Sequence, residues 1–250
     1  MRSLHAFLAS LCLAVTVLAQ SAGPVSPSAT AGTALVTLPP ANFLAPDAID
    51  LAKLIPLPPA ADSLIQHAEL DVLFQLQQER TPAQVARAKR VDKEDAFVFG
   101  SDVLGEWFNA ANLPRTAAFF AAVGADLAPT NRAAKMLFKR RRPPFADERI
   151  KPCVDLPETG SYPSGHAMRS ALWAALLAQI FPEQAAGFER RAAETRWCRL
   201  LGGVHYPSDV EAGRIVGEAL ARELLKNPAA QEAIKVIQVE VAPLLHKKAA

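Results

Sequence analysis

Three short segments of the sequence carry residues that could bind and transfer a phosphoryl group. Each combines cations, histidines or a carboxylate with the glycines and prolines that mark helix ends. They are Lys135 with Arg142-Pro143, the turn Gly160-Ser161-Tyr162-Pro163-Ser164-Gly165-His166, and Arg199 with His205 and Asp209. Phosphoryl transfer depends mainly on positioning and on stabilising charge at the phosphoryl oxygens, so fixed cations and a nucleophilic histidine fit that chemistry.

The middle segment runs into an apolar stretch and therefore predicts the start of a helix. Free N–H groups and the positive end of the helix dipole make such a start a favourable place for an anion. Ser164 could add a hydroxyl and His166 a proton. The simpler interpretation is an ordinary helix start, in which the proline and the serine have capping roles and the histidine is incidental.

Lys135 and Arg142 are seven positions apart, which is about two helical turns, so both can lie on one side of a helix end. Arg142 precedes Pro143 and is therefore biased towards an extended backbone. Alternatively, the basic run at 139–142 is only a solvated patch or a charge cluster at a helix C-terminus.

In the third segment, His205 could act as a nucleophile if its tautomer is fixed. Asp209, four residues later, could accept the other ring N–H of His205. Asp209 could also be a plain helix cap, but that interpretation leaves the Gly202-Gly203 pair before His205 unexplained.

The order and spacing of the three segments resemble the signature of the type 2 phosphatidic acid phosphatase and vanadium haloperoxidase superfamily. Gly160-Ser161-Tyr162 before the Pro-Ser-Gly-His motif, together with residues 208–217, resembles the bacterial class A non-specific acid phosphatases. The resemblance implies an acid phosphatase that hydrolyses phosphate monoesters through a phosphohistidine, without a metal ion or another cofactor. It also allows transfer of the phosphoryl group to other alcohols.

The same resemblance implies a role for each motif residue. His205 is the nucleophile, Asp209 orients it, and His166 protonates the leaving alcohol. The phosphoryl oxygens are bound by Lys135, Arg142, Arg199, Ser164 and the amide of Gly165. A neutral His205 and a protonated His166 together predict a bell-shaped pH dependence.

Two positions depart from the family pattern. Cys198 stands where a serine usually precedes the motif arginine, and Ala167 stands where a threonine usually follows the Pro-Ser-Gly-His motif. Neither is a phosphate ligand in the family, so the departures concern substrate preference or packing. Cys198 could form a disulfide with Cys153, or both could remain buried thiols.

The N-terminal part is expected to serve export. Residues 1–19 combine a short basic start, an apolar core and small residues before Gln20, which predicts a secretory signal peptide and a periplasmic location. A membrane anchor is the alternative, although the run is shorter than the roughly 20 residues that span a bilayer. Residues 20–59 are rich in proline and predict an extended arm that lies on the body or reaches a neighbouring subunit, or a partly disordered linker up to Thr37.

Residues 60–250 are predicted to form the helical phosphatase domain. Apolar periodicity places helices at 61–80, 82–97, 101–111, 114–127, 130–140, 165–181, 183–201, 208–226 and 229–246, with Pro129 as a break. Alternation typical of strands is nearly absent, so the predicted fold is an all-α, single-domain helical bundle. The motif residues fall at helix ends, which predicts a pocket at one end of the bundle.

Composition limits the partners. A net charge of +2 without a long basic stripe argues against nucleic acid, and no stretch after residue 19 could span a membrane. The expected partners are phosphate monoesters, vanadate or phosphate as inhibitors, and further copies of the chain. Three alternatives remain: a vanadium-dependent haloperoxidase, a lipid phosphate phosphatase, and a non-catalytic periplasmic anion-binding helical protein.

Overall fold

A computed structural model describes residues 43–45 and 47–247, and this part of the chain is helical without a β-strand. The all-α prediction is therefore confirmed. The helices are α1 (Leu51–Leu54), α2 (Leu64–Glu79), α3 (Pro82–Asp92), α4 (Ala96–Leu104), α5 (Pro114–Phe138), α6 (Pro143–Ala146), α7 (Gly165–Ile180), α8 (Ala185–Leu201), α9 (Pro207–Lys226) and α10 (Pro228–Lys247). A 3₁₀ turn at Pro182–Gln184 precedes α8. The last four predicted helices agree with α7 to α10 within about two residues.

The predicted break at Pro129 is wrong, because α5 is a single helix of 25 residues that contains this proline. A proline inside a helix removes one backbone hydrogen bond and crowds the preceding turn. Both halves of α5 nevertheless bury side chains, with Phe119 and Val123 before the proline and Thr130 and Ala134 after it. Packing on both sides of Pro129 holds the helix together and carries Lys135 in its last turn.

The predicted helices at 82–97 and 101–111 are also wrong in their bounds. α3 ends at Asp92, and Asp95 starts α4 by accepting the N–H groups of Phe97 and Val98 at 2.9 and 2.8 Å. α4 ends at Leu104, and the following residue, Gly105, has a φ of 100° that is readily reached by glycine alone. Trp107 and Phe108 continue the apolar pattern past Gly105, which is why periodicity extended the second helix too far.

α7 lies at the centre of the core and packs closely on α9. A side chain at Gly213 would come within 2.4 Å of the Ser164 carbonyl oxygen, and one at Gly217 within 2.2 Å of the Met168 carbonyl oxygen. The two backbones can approach only because these positions are glycine. The Ser164 N–H also donates to the Asp209 carbonyl at 2.8 Å, so the first turns of α7 and α9 lie side by side.

The described residues before α2 contact the helical body. The N–H groups of Phe43 and Leu44 donate to Asp126 Oδ2 at 2.7 and 3.2 Å, and both side chains are buried. The Pro56 carbonyl accepts the Tyr162 hydroxyl at 2.7 Å. The predicted signal peptide and residues 20–42 of the predicted arm lie outside the described residues. Within the described part, no helix has the length and apolar character needed to cross a membrane.

Candidate active site

A cavity of about 730 Å³ lies where the motif segments meet. Six of the eight predicted site residues line it, namely Lys135, Arg142, Gly165, His166, Arg199 and His205. Ser164 and Asp209 are fully buried behind this lining. Helix ends that are far apart in the sequence therefore meet at one cavity, as the motif positions predicted.

His205 is held between a carboxylate and a guanidinium. Its Nδ1 lies 3.2 Å from Asp209 Oδ2, and its Nε2 lies 3.2 Å from Arg142 Nη1. A carboxylate accepts and a guanidinium donates, so the neutral ring carries its proton on Nδ1 and its lone pair on Nε2. This is the tautomer of a histidine whose Nε2 can act as a nucleophile. Gly203 lies two residues after the end of α8, and its left-handed backbone, with a φ of 72°, leads the chain to His205.

Asp209 combines two functions that the sequence offered as alternatives. It occupies the third position of α9, and its Oδ2 accepts the Tyr206 N–H at 2.9 Å, which caps the helix start. The same oxygen accepts the Ser161 hydroxyl and faces the His205 ring. The carboxylate thus anchors the helix start and orients the histidine.

Arg142 has the extended backbone expected before a proline, with φ −73° and ψ 155°. Its guanidinium donates to the carbonyls of Thr159 and Val204 at 2.8 and 2.9 Å. Burial, followed by the nearby charge of Arg199, lowers the pKa of Arg142 to about 10. Arg142 is therefore a fixed cation next to the lone pair of His205.

Lys135 is a partly buried cation whose hydrogen-bond partners among the described residues are neutral. Its Nζ donates to the carbonyls of Ser161, at 2.9 Å, and of Pro163. Burial lowers the pKa of Lys135 to about 7, and the charge of Arg142 adds to this effect. An anion in the cavity would stabilise the charged form of this amine.

Arg199 is fully buried, and its Nη1 donates to Asp92 Oδ1. Its Nε and Nη2 have no hydrogen-bond partner among the described residues. Buried donors without a partner carry a large desolvation cost, which an anion in the cavity would offset. Burial is also the main reason why the pKa of Arg199 is lowered.

His166 lies in the first turn of α7, where its Nε2 is 3.1 Å from the Asp92 carbonyl and 3.7 Å from Asp92 Oδ1. A carbonyl only accepts, so Nε2 carries a proton. Burial, followed by the charge of Arg199, lowers the pKa of His166 well below its usual value. For His205 burial is again the largest cause of a strongly lowered pKa, followed by Arg142.

Ser164 is placed as a helix cap, because its Oγ accepts the Ala167 N–H at 3.4 Å and it does not line the cavity. The position of Ser164 therefore agrees with the simpler interpretation, in which this serine is a helix cap. Gly165 does line the cavity, and a side chain there would lie 2.9 Å from Asn131 Oδ1. Ser164 caps the start of α7, and Gly165, which has no side chain, leaves the space next to Asn131 open.

Arg140 is a buried residue of the site that the motif analysis missed. Lys139 and Arg141 are exposed, whereas Arg140 and Arg142 are buried, so the interpretation of 139–142 as a uniformly solvated patch is wrong. The backbone is extended at Arg142, and alternate residues of an extended chain point to opposite sides. This alternation is the sequence signal that could have identified Arg140.

Arg140 connects the segment that carries His205 and Asp209 to α2. Its Nη1 donates to Asp209 Oδ1 at 2.7 Å, and its Nη2 donates to Glu69 Oε2 at 2.6 Å and Gln66 Oε1 at 2.5 Å. The guanidinium also lies 3.7 Å from the centroid of the Tyr206 ring. These contacts fix the carboxylate that orients His205.

Asp92 is the second site residue that the sequence did not reveal. It lies at the end of α3 and contacts both His166 and Arg199. These partners follow it by 74 and 107 positions, so no local pattern marks it. Among residues 43–45 and 47–247, no group of three His, Cys, Asp or Glu side chains is arranged to hold a metal ion.

The two described cysteines are free thiols. Cys198 belongs to a small apolar cluster with Ala88, Val91 and Leu201, and Cys153 packs against the same cluster. Burial raises the pKa of Cys198 to about 11. The disulfide alternative is therefore not formed, and the departure at Cys198 affects packing behind the cavity.

Comparisons with known proteins agree with the motif resemblance. Residues 115–231 match the PAP2 superfamily. The non-specific acid phosphatase of Salmonella typhi is 37% identical over 113 residues, which are 44% of this chain and 45% of that protein. The non-specific acid phosphatase of Providencia stuartii is 36% identical over 124 residues, which are 48% of this chain and 49% of that protein. The chain therefore spans about half the length of the curated relatives it matches.

A structural match supports the fold. A bacterial vanadium-dependent iodoperoxidase superposes with a TM-score of 0.56 at 18% identity, covering 71% of this chain and 53% of that one. At this identity the similarity concerns the helical architecture alone.

Proposed function

We propose that the chain is an acid phosphatase of the PAP2 superfamily, whose pattern residues 115–231 match, and that it hydrolyses phosphate monoesters through a phosphohistidine on His205. The observation that carries the proposal is the position of the His205 Nε2 lone pair. It lies at a cavity lined by Lys135, Arg142 and Arg199, while Asp209 holds the opposite ring nitrogen. A nucleophile surrounded by fixed cations suits attack on a phosphoryl group.

In the first step, phosphoryl oxygens take up the donors of the cations, including the Arg142 Nη1 that otherwise contacts His205. The Nε2 lone pair then forms a bond to phosphorus while the bond from phosphorus to the alcohol oxygen breaks. His166 gives its proton to the departing oxygen. Asp209 stabilises the positive charge that develops on the His205 ring.

In the second step, a water molecule attacks the phosphohistidine and His166 takes a proton from it. The bond between phosphorus and Nε2 breaks, which releases phosphate and restores His205. Another alcohol in place of water would give phosphotransfer. Because the cavity holds the phosphoryl group by cations, vanadate and phosphate are the expected inhibitors.

The lowered pKa values explain why such a site would work in acid. His205 stays neutral, and so remains a nucleophile, below the pH at which an ordinary histidine is protonated. The negative charge of a bound phosphate ester favours the protonated form of His166. Lys135, with a pKa of about 7, loses its charge at higher pH and weakens anion binding there.

The proposal is tested by His205→Ala, with the exposed His67→Ala as the matched control. His205→Ala should lower phosphate monoester hydrolysis by at least about 10³-fold, whereas His67→Ala should not. Mass spectrometry of protein quenched during turnover should detect a phosphoryl group on the wild type and none on His205→Ala. Wild-type rates in His205→Ala would exclude the mechanism.

The alternatives are separated by their reactions. A haloperoxidase would oxidise halide with peroxide after vanadate loading, and a non-catalytic anion-binding protein would bind phosphate without turning over any ester. A lipid phosphate phosphatase would prefer esters embedded in vesicles to soluble esters. Hydrolysis of soluble monoesters in the presence of a chelator would favour the metal-independent phosphatase over all three.

Export and assembly are part of the same proposal. We infer export to the periplasm from residues 1–19, and cell fractionation with and without this segment tests it.

A homo-oligomer is supported by apolar side chains of α2 that are open to solvent, with Leu64 87%, Ile65 63% and Val72 47% exposed. Light scattering of the purified protein would show whether it is larger than a monomer.

A further inference from the structure

The cavity extends well beyond the cations, along one face of α5. The residues of α5 that form this face share helical spacing and are Ala117, Ala121, Gly124, Ala128, Asn131 and Lys135. At about 1.5 Å per residue, the face runs for about 27 Å from Lys135 to Ala117. The end near Lys135 is polar and includes Asn131, and the remainder of the face consists of alanines and Gly124.

Large apolar side chains complete the walls of this extension. They are Phe97 from α4, Phe120 and Leu127 from α5, and Trp173 from α7. We call the part of the cavity lined by Phe97, Ala121, Gly124, Leu127 and Trp173 the apolar arm. It shares the cavity with the cations, so a molecule whose phosphoryl group lies at His205 can place its remainder along these walls.

The other charged residues that line the cavity are engaged within the protein. Glu94 pairs with Arg191, and Asp95 caps the start of α4. Arg169 donates to the Glu94 carbonyl at 3.2 Å, and its guanidinium lies 5.4 Å from the centroid of the Trp173 ring. These groups therefore leave the apolar surface as the main feature of the arm.

Gly124 indicates that open space beside α5 is required in the apolar arm. It lies in the interior of α5, where glycine lowers helix stability relative to alanine. A Cβ at Gly124 would meet no atom within 4 Å, whereas Gly213 and Gly217 are required by the contact between α7 and α9. Helix packing therefore does not explain Gly124, but a requirement for open space next to it does.

We propose that the apolar arm binds the alcohol part of the phosphate monoester, so that the favoured substrates carry an extended apolar alcohol. The proposal rests on the proposed function for the cationic end of the cavity. The volume supports it, because about 730 Å³ is typical of a site for a whole small molecule and far exceeds a phosphoryl group. Apolar walls with a few polar groups at one end are also the usual design of such sites.

The test measures binding of alkylphosphonates, which have a C–P bond and need no turnover. Calorimetry compares methylphosphonate with n-octylphosphonate on the wild type, on Gly124→Phe and on Ala118→Phe. Ala118 is exposed on α5 and does not line the cavity, so it is the matched control. Each buried methylene strengthens binding about fourfold, and burying half of the added chain gives at least about 100-fold tighter binding of the octyl compound.

The expected result is that Gly124→Phe weakens binding of octylphosphonate at least tenfold more than binding of methylphosphonate, while Ala118→Phe leaves their ratio as in the wild type. Equal affinity of the wild type for both compounds would overturn the proposal while leaving the proposed function intact. Binding of neither compound would overturn both. Length-dependent binding without ester hydrolysis would support the arm and contradict the phosphatase.

Discussion

Replacing Lys135 with methionine should remove a pH-dependent cost that wild-type folding carries. The amine of Lys135 is largely shielded from solvent near Arg142, and it donates to the carbonyls of Ser161 and Pro163. Burial, followed by the Arg142 charge, lowers the pKa of Lys135 from 10.5 to about 7. Between about pH 7 and pH 10.5 the unfolded chain therefore keeps a proton on Lys135, whereas the folded protein has lost it.

The sign and size of the effect follow from proton linkage. Stability rises with pH wherever the unfolded state binds more protons, so the free energy of unfolding of the wild type rises between about pH 7 and pH 10.5. The full cost of burying the charge, present below pH 7, is about 5 kcal/mol. From pH 7 to pH 9 the wild type should gain about 2 kcal/mol relative to Lys135→Met. The variant also loses the hydrogen bonds of Lys135, which changes the difference in unfolding free energy by the same amount at every pH.

Urea unfolding of both proteins at several values between pH 6 and pH 9 measures the difference. Lys139→Met, which removes a charge of the same sign from the exposed residue after α5, is the control for net charge. Lys135→Met should also lose affinity for phosphate. If the difference in unfolding free energy between wild type and Lys135→Met is the same at every pH, the reasoning about the buried amine is refuted.

Three further predictions follow from contacts around the cavity. Arg140→Gln should lower kcat at least about tenfold with little change in KM, because Arg140 fixes Asp209 and does not line the cavity. A change confined to KM would contradict this role. Vanadate should inhibit at least about tenfold more tightly than phosphate, since it can adopt the geometry of the transferring group, and equal inhibition would count against the site. Peptide mapping after alkylation of the denatured, unreduced protein should find Cys153 and Cys198 as free thiols, and in the folded protein Cys153 should react first because Cys198 is buried.

The sequence by itself determined the helical class and the local placement of the motif residues. The proline after Arg142 predicted its extended backbone, and the spacing of four between His205 and Asp209 predicted that the carboxylate could reach the ring. Both predictions rest on chain geometry within a few residues, where proline restriction and helical spacing leave few alternatives. The placement of Lys135 near a helix end was predicted on the same grounds, although α5 proved longer than expected.

Tertiary structure decided which neighbouring residues became part of the site. It buried Arg140 and left Arg141 exposed, and it brought Asp92 to His166 and Arg199. It also carried α5 through its proline and thereby extended the cavity along one face of that helix. The contact between Arg140 and Asp209 spans 69 positions and the one between Asp92 and Arg199 spans 107, so these choices depended on how distant helices pack and were not encoded in any single segment.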